Sequence, residues 1–451
     1  MNKILEYSIS YPIVNHPLAN EKEQIKIEYI SLLQLYSTKF GESQEVNAMR
    51  MERFINSFLN GGQRSTGTEE KATHDILKTR FTPFHLYSYR YVFLFDCIFL
   101  FAPTNNSEAQ KICDALKMAV KQRYHERLDK IVRMMFEDDS ELIENAAITN
   151  EQFYAWKQLR KFVLSKERSI VFTATMSAGK STLINALIGQ EVSNVKKAAC
   201  TAKPLYFYFS AMPHTCFNLV SEQNEIVNIS SKKVRNILTT DSENYAVIGY
   251  YFSTLREARY CFIDTPGIDS FLNPEHKLIT RSILCSKEHD AIVYIIPVES
   301  YGAESDYYHL KYILEKVKFR KIVFVINMID TCDFEDDSIA EIIDDVKSHL
   351  TDIGYKDPII CPMSAKAGFL LKQCITGQKL SNTSKGLAKT FCDMFCDDEF
   401  DLSNYYEYGV EFLLPKEVNY SSDIPVEKLQ RAYEHTGLPQ FEKTLKKIME
   451  D

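Results

Sequence analysis

The sequence predicts an α/β domain, with a mainly parallel sheet and helices on both faces, preceded by an all-helical N-terminal domain. Three observations carry this prediction. From residue 168 onward, short β-branched and aromatic runs alternate with helical patterns. Before about residue 165, apolar residues recur only at helical spacing. One strand-to-helix junction holds a loop of small residues ending in Gly179-Lys180-Ser181. A length of 451 residues suits roughly two to four domains. Hydrophobic residues make up 45% and charged residues 25%, so there is apolar surface enough for real cores and disorder over the whole chain is excluded. A net charge of −8 argues against a general nucleic-acid coat, and no nucleic acid is expected as a partner.

The helical half reads as five or six helices. Ile25, Ile27, Tyr29, Ile30, Leu32, Leu33 and Leu35 form one stripe, and Met49, Met51, Phe54, Ile55 and Phe58 another, ended by Gly61-Gly62. Tyr91 to Pro103 is the most apolar stretch, interrupted by Asp96. It is shorter than the roughly 20 residues a membrane span needs, and is expected as a buried core helix. A long segment follows from Ser107 to about Phe136, then Glu141–Ala147. Glu151–Glu167 is one more helix, with Phe153, Trp156, Leu159, Phe162 and Val163 on one side, and Trp156 is expected to pack it against the α/β domain.

The strands expected next are Ile170–Thr173, Leu205–Phe209, Cys216–Val220, Ala246–Phe252, Arg259–Ile263, Ala291–Ile296, Lys321–Ile326 and Ile359–Pro362. Helices are expected over Ser181–Leu187, Pro274–Cys285, Asp306–Val317 and Asp337–Leu350, with a helical or irregular piece near Lys232–Leu238. Residues 367–435 fit the alternation poorly and read as an insert. A last helix, Leu438–Met449, closes the domain, with Pro439 in its first turn. The expected division is therefore 1–148 helical, 149–167 a linker helix, and 168–451 the α/β domain. The eleven cysteines contain no C-x-x-C pair and no apolar leader precedes them, which reads as reduced thiols in the cytoplasm. Cys392 and Cys396 share a helix face without companion ligands. The acidic run Asp397, Asp398, Glu399 and Asp401 reads as a solvated insert.

Four motifs bear chemistry, each at the C-terminal end of an expected strand, where open α/β sheets bind ligands. The first is Ala174-Thr175-Met176-Ser177-Ala178-Gly179-Lys180-Ser181-Thr182, a Walker A loop with Ala174 in place of its first glycine. Small residues let backbone N–H groups wrap phosphates at a helix N-terminus. Lys180 would reach the β- and γ-phosphates, and the Ser181 hydroxyl would ligate Mg²⁺. The second is Asp264-Thr265-Pro266-Gly267. Asp264 can hold the Mg²⁺ shell, and the Gly267 N–H can bond the γ-phosphate.

The third is Asn327-Met328-Ile329-Asp330. A carboxylate at Asp330 accepts from guanine N1 and N2, a donor pair that adenine lacks. Met328 stands where this pattern has lysine, so weaker affinity with retained specificity is expected. The fourth is Ser364-Ala365-Lys366, whose backbone would meet the guanine O6. Thr201, on the loop before Leu205–Phe209, is placed to close over Mg²⁺ and the γ-phosphate. Order and spacing together predict a guanine-nucleotide site.

Met176-Ser177-Ala178-Gly179-Lys180-Ser181-Thr182-Leu183-Ile184-Asn185-Ala186-Leu187-Ile188-Gly189 closely resembles the phosphate loop of bacterial dynamin-like GTPases, and Cys200-Thr201-Ala202 and Asp-Thr-Pro-Gly fit that group. The resemblance covers about residues 150–450 and implies an α/β P-loop GTPase domain. It implies GTP as substrate, Mg²⁺, and hydrolysis without a switch glutamine; Ile268 follows Gly267 here. Ser177 would correspond to a serine that helps hold K⁺ or Na⁺ when two G domains pair. Met176 stands where eukaryotic dynamins carry a water-positioning glutamine, so Thr201 would carry more of that task. The helix Glu151–Glu167 is similar to the family's neck helix. A C-terminal stalk or membrane paddle is not expected, and residues 1–148 are assigned no family.

The leading expectation is a dynamin-like GTPase, catalytic through Lys180, Thr201 and Ser177, whose turnover rises on pairing with a second copy and is coupled to a protein partner. It would be cytoplasmic and peripheral at a membrane. The competing expectations are a slow GTP-binding regulatory switch and a membrane-associated assembly factor. The latter lacks a long basic amphipathic helix.

Overall fold

The computed structural model describes residues 3–9, 11, 15–41, 43–58, 88–137, 148–175, 177–193, 203–211, 216–241, 243–251, 253, 255, 258–268, 274–286, 288–317, 321–332, 338–409 and 424–450. They separate into two compact units, Met1–Ser165 with Ser210–His214, and Lys166–Phe209 with Thr215–Asp451.

The first unit is helical: α1 (Lys3–Ser8), α2 (Glu23–Ser37), α3 (Gln44–Phe58), α4 (Arg90–Phe101), α5 (Asn106–Ala119), α6 (His125–Phe136) and α7 (Asn150–Leu164). The apolar α4 lies at its centre, in contact with α2, α3, α5 and α6. Among the described residues no helix is long and apolar enough to cross a membrane. The long helical segment expected from Ser107 to about Phe136 is two helices. Val120 takes an extended conformation and breaks it. A straight helix of that length would run about 45 Å, past α4, whereas two shorter helices both lay their apolar stripes on it. Asn105 starts α5, its side chain accepting from the Glu108 N–H at 3.1 Å. A full capping box, Thr149 with Gln152, starts α7. Glu141–Ala147 lies outside the described residues.

Asp96, the charge inside the apolar stretch, is fully buried and well partnered. It accepts from Tyr11 Oη (2.9 Å), Tyr29 Oη (2.5 Å) and His16 Nε2 (2.8 Å). Leu18 N donates to His16 Nδ1 at 3.2 Å, which leaves Nε2 to donate to Asp96. Burial, and then the Asp96 charge, raise both tyrosine pKa values. Asp96→Ala should strand three buried donors and destabilise this unit by about 3 kcal/mol or more. The chain's single tryptophan is Trp156 in α7, 2% exposed. It donates to Met135 O at 2.6 Å and meets Phe95, Phe99 and Phe136 edge-on. Contrary to expectation, its partners belong to the helical unit. Urea unfolding followed by tryptophan fluorescence therefore reads the Asp96 effect directly, and an unchanged midpoint would refute it.

The second unit is built on one sheet in the order β4-β3-β5-β2-β6-β1-β7-β8-β9. The strands are β1 (Arg168–Ala174), β2 (Leu205–Phe209), β3 (Phe217–Val220), β4 (Glu225–Ile229), β5 (Ala246–Gly249), β6 (Tyr260–Asp264), β7 (Ala291–Pro297), β8 (Lys321–Asn327) and β9 (Ile359–Pro362). From β6 to β9 every pairing is parallel; β2 runs antiparallel to β6, and β3 antiparallel to β4 and β5. β7 is buried at every position, which an unalternating Ile-Val-Tyr-Ile-Ile run requires of a strand covered on both faces.

The edge strand β4 was not expected. It is half-exposed and lacks a strong apolar signature; Ser221 ties the turn before it by accepting from Asn224 N at 2.8 Å. The expected helical piece near it is α9 (Ser231–Thr240), preceded in order by α8 (Lys180–Ile188). The others are α10 (Pro274–Cys285), α11 (Glu304–Lys316), α12 (Ile339–Ile353), α13 (Ala365–Ile375), α14 (Asn382–Met394), α15 (Val426–His435) and α16 (Leu438–Glu450). α13 to α15 occupy the stretch where strand–helix alternation fades, and α13 packs on α8. The acidic run caps and pairs locally: Asp398 with Arg431 at 2.5 Å and Asp401 with His435 at 3.5 Å.

Candidate nucleotide site

Because β6, β1, β7, β8 and β9 run parallel, their C-terminal ends form one edge. All four motifs lie on it. β1 ends at Ala174, and Thr175–Gly179 leads into α8. Ala174 is a buried strand residue, so its methyl group replaces the pattern's glycine without positive φ. The positive-φ positions are Ser177 (62°), whose side chain is exposed, and Gly179 (84°). A Cβ at Gly179 would sit 2.3 Å from Asn327 Nδ2, so glycine is required there twice over. Met176 lies outside the described residues. Ala178 is buried, and Thr175 and Thr182 are half-buried.

At the amino end of α8, the Lys180 ammonium pairs with Asp264, at the end of β6. Ser181 Oγ lies 3.5 Å from the other Asp264 oxygen. Ser193 Oγ donates to that oxygen at 2.9 Å, a contact the sequence reading missed. Asn185 fixes Ser193, accepting from its N–H at 2.8 Å and donating to its carbonyl at 2.9 Å. A buried asparagine within the apolar Leu-Ile-Asn-Ala-Leu run was the available cue, since such a side chain needs partners. Hydroxyl and carboxylate oxygens converging at Ser181 and Asp264 form a hard donor set of the kind Mg²⁺ takes. Thr201 lies outside the described residues.

The turn after Asp264 is held from below. Thr265 Oγ1 donates to Phe172 O, and Thr280 Oγ1 on α10 donates to Pro266 O, both at 2.8 Å. Gly267 is half-buried at its end. One residue before the phosphate loop, Thr173 Oγ1 meets His309 Nε2 at 3.1 Å. Burial, then Arg281 and Lys277, push the His309 pKa down to about 3, so this ring is neutral near pH 7.

The third and fourth motifs join the first through Asn327. Its Nδ2 donates to Ala178 O at 2.9 Å, and its Oδ1 accepts from Ala365 N at 3.0 Å. Met328 has φ 70° and turns the chain so that Asp330 faces Ser364, whose hydroxyl donates to Asp330 Oδ1. The same hydroxyl accepts from Ala367 N at 3.1 Å. Met328 Cε would lie 3.3 Å from a Cβ at Gly179, so the methionine that stands where the usual pattern has lysine lies against this loop. Lys366 is exposed, its ammonium 5.8 Å from the Phe391 ring centre.

Supports unreadable from the sequence come from the C-terminal segment. Ser364 N donates to Thr436 O at 3.1 Å, and Tyr406 Oη to Pro362 O at 2.8 Å. Gly437, at φ 77°, could carry no Cβ because Pro362 O would lie 2.4 Å away. Of the expected site residues, the structure thus gathers Thr175, Ser177, Ala178, Gly179, Lys180, Ser181, Thr182, Asp264, Gly267, Asn327, Asp330, Ser364, Ala365 and Lys366 along one edge.

Residues 170–329 match the family model described as Dynamin family, and this segment is a dynamin-superfamily G domain, which indicates a GTPase. Solved structures with a similar arrangement include Era of Aquifex aeolicus bound to GDP and AlF4⁻, at 15% identity over 49% of this chain and 70% of that one, with TM-score 0.28. The G domain of the FeoB iron transporter of T. maritima is 16% identical over 44% of this chain and 89% of that one, with TM-score 0.26. A chain from an oligomerised bacterial dynamin pair is 14% identical over 88% of this chain and 72% of that one, with TM-score 0.37. No curated protein sequence matches the chain.

Proposed function

We propose that this chain binds GTP with Mg²⁺ and hydrolyses it to GDP and phosphate, faster when two G domains pair, in service of a partner protein or a membrane process. One observation carries the reading: Asn327 ties the phosphate loop to the Ser364 loop, with Lys180 and Asp264 on one side and Asp330 on the other. In this reading the Lys180–Asp264 side takes the phosphates and the Asp330–Ser364 side reads the guanine. Backbone N–H groups of 177–181 and the Lys180 ammonium would cradle the phosphates. Ser181, Asp264 and Thr201 would hold Mg²⁺, which when bound neutralises charge on the β- and γ-phosphates. Gly267 would meet the γ-phosphate, and Ser177 would face a K⁺ or Na⁺ ion. Residues 1–148, 149–167 and 168–451, with 367–435 as an added segment, are proposed as the functional divisions. The location proposed is cytoplasmic, peripheral at a membrane.

Thr201→Ala should keep GTP affinity within about threefold and lower turnover by about 100-fold, the scale of losing one transition-state contact. Stopped-flow binding and phosphate release measure both, and unchanged turnover would remove Thr201 from the mechanism. GTP turnover per chain, against protein concentration and with or without K⁺, tests the whole reading. Rising specific activity supports paired G domains. A slow flat line would favour the regulatory switch, a reading consistent with Met176 in place of glutamine.

A further inference from the structure

Helix α8 is nine residues long. Its amino end carries Lys180 and Ser181, and its carboxyl end is closed by residues distant in sequence. Lys372 on α13 is 1% exposed. Its ammonium donates to Ala186 O at 2.9 Å, Leu187 O at 3.0 Å and Glu442 Oε1 at 2.7 Å. All three N–H groups are thereby used. Gln378 Nε2 adds a bond to Gly189 O at 2.6 Å. The last carbonyls of a helix lack partners within it and carry the negative end of its dipole. A buried cation there satisfies and neutralises that end.

Glu442, whose side chain is 3% exposed, belongs to the terminal helix α16. Gly368, one turn before Lys372, packs against Leu438: a Cβ there would lie 2.9 Å from Leu438 Cδ2 and 3.0 Å from Leu438 Cβ, so Leu438 would have to shift. α13 and α16 are therefore in close contact, which leaves the Lys372 side chain little freedom. A buried ion pair by itself is often not the most stabilising choice. Two apolar side chains of similar size commonly fold as well or better. What they could not do is grip two carbonyls of α8.

We propose that Lys372, held by Glu442, is a positioning residue for phosphate binding: it sets the placement of α8, hence of Lys180 and Ser181, and links the terminal helix to nucleotide affinity. This rests on the nucleotide reading above. The test uses the full chain as wild type, K372M/E442M and E442Q, with affinities for GDP, inosine diphosphate and ADP measured calorimetrically in Mg²⁺. The double variant leaves no buried unpaired charge but strands the Ala186 and Leu187 carbonyls, so it should fold and melt below the wild type. It should lose about tenfold in GDP affinity, with its GDP-over-inosine-diphosphate ratio unchanged, because Asp330 and Ser364 read the base independently. E442Q retains an oxygen acceptor for Lys372 and should lose about threefold. Wild-type GDP affinity in the folded double variant would overturn the proposal, as would a base ratio that falls in parallel. Should the double variant not fold, full GDP affinity in E442Q would overturn it equally. A wild type without preference for GDP over ADP would instead sink the nucleotide reading itself.

Discussion

Lys180→Ala should abolish tight GTP binding, with affinity falling by at least about 100-fold. Lys180 opens α8, and only 13% of its side chain is exposed. Its partner Asp264 has 7% exposed, so both charges sit where solvent screens them weakly. Truncating one member of such a pair leaves the other charge buried and costs folding stability, about 3–5 kcal/mol. The affinity loss is separate: the ammonium is the side-chain cation that would meet the phosphates, and charge-assisted hydrogen bonds of that kind are worth about 1.5–3 kcal/mol each. Titration with a fluorescent GTP analogue measures the effect. Micromolar binding retained by a folded variant would mean that the phosphates lie elsewhere.

Asp330→Asn should exchange the base preference, lowering GTP affinity by about 100-fold and raising that for XTP. The Ser364 hydroxyl donates to one Asp330 oxygen and is itself fixed by the Ala367 N–H. Asparagine can keep that bond through Oδ1. Its NH₂ group would then face the base, where guanine presents N–H donors and xanthine a carbonyl at C2. Donor against donor costs about 1–3 kcal/mol for each unpaired group. Competition between GTP and XTP for bound fluorescent GDP reads the ratio, and persistent GTP preference would show that another residue reads the base.

Much of the site was legible because its parts are local. A turn of small residues ending in Gly-Lys-Ser after a buried strand, an Asp at a strand end and an Asn-x-x-Asp after another each need only a few adjacent residues of the right type. Strands β2, β7, β8 and β9 were legible for the same reason, since their apolar runs are dense. Strand β4 and the break at Val120 were not, because neither carries its own apolar period or a glycine or proline signal. Helices α14 and α15 were obscured by long polar stretches, and their buried faces become clear only against α13.

The roles of Ser193, Asn185, Tyr406, Thr436 and Lys372 were invisible in a different sense. Each acts through a hydrogen bond to a residue outside its own motif, and any of them could have been an ordinary surface or core side chain. Trp156 shows the opposite error: its burial was legible, but the identity of its partners was not.

By itself, then, the sequence determined the class of fold, the order of the four motifs and the strand ends that carry them, because local spacing reports local burial and local turn chemistry. The tertiary structure alone decided what holds the motifs together. Asn327 and Ala178 are 149 residues apart, and Lys372 and Ala186 are 186 apart. Which groups meet across such distances depends on strand order and on how closely α13 and α16 approach, and no periodicity within a short window encodes either.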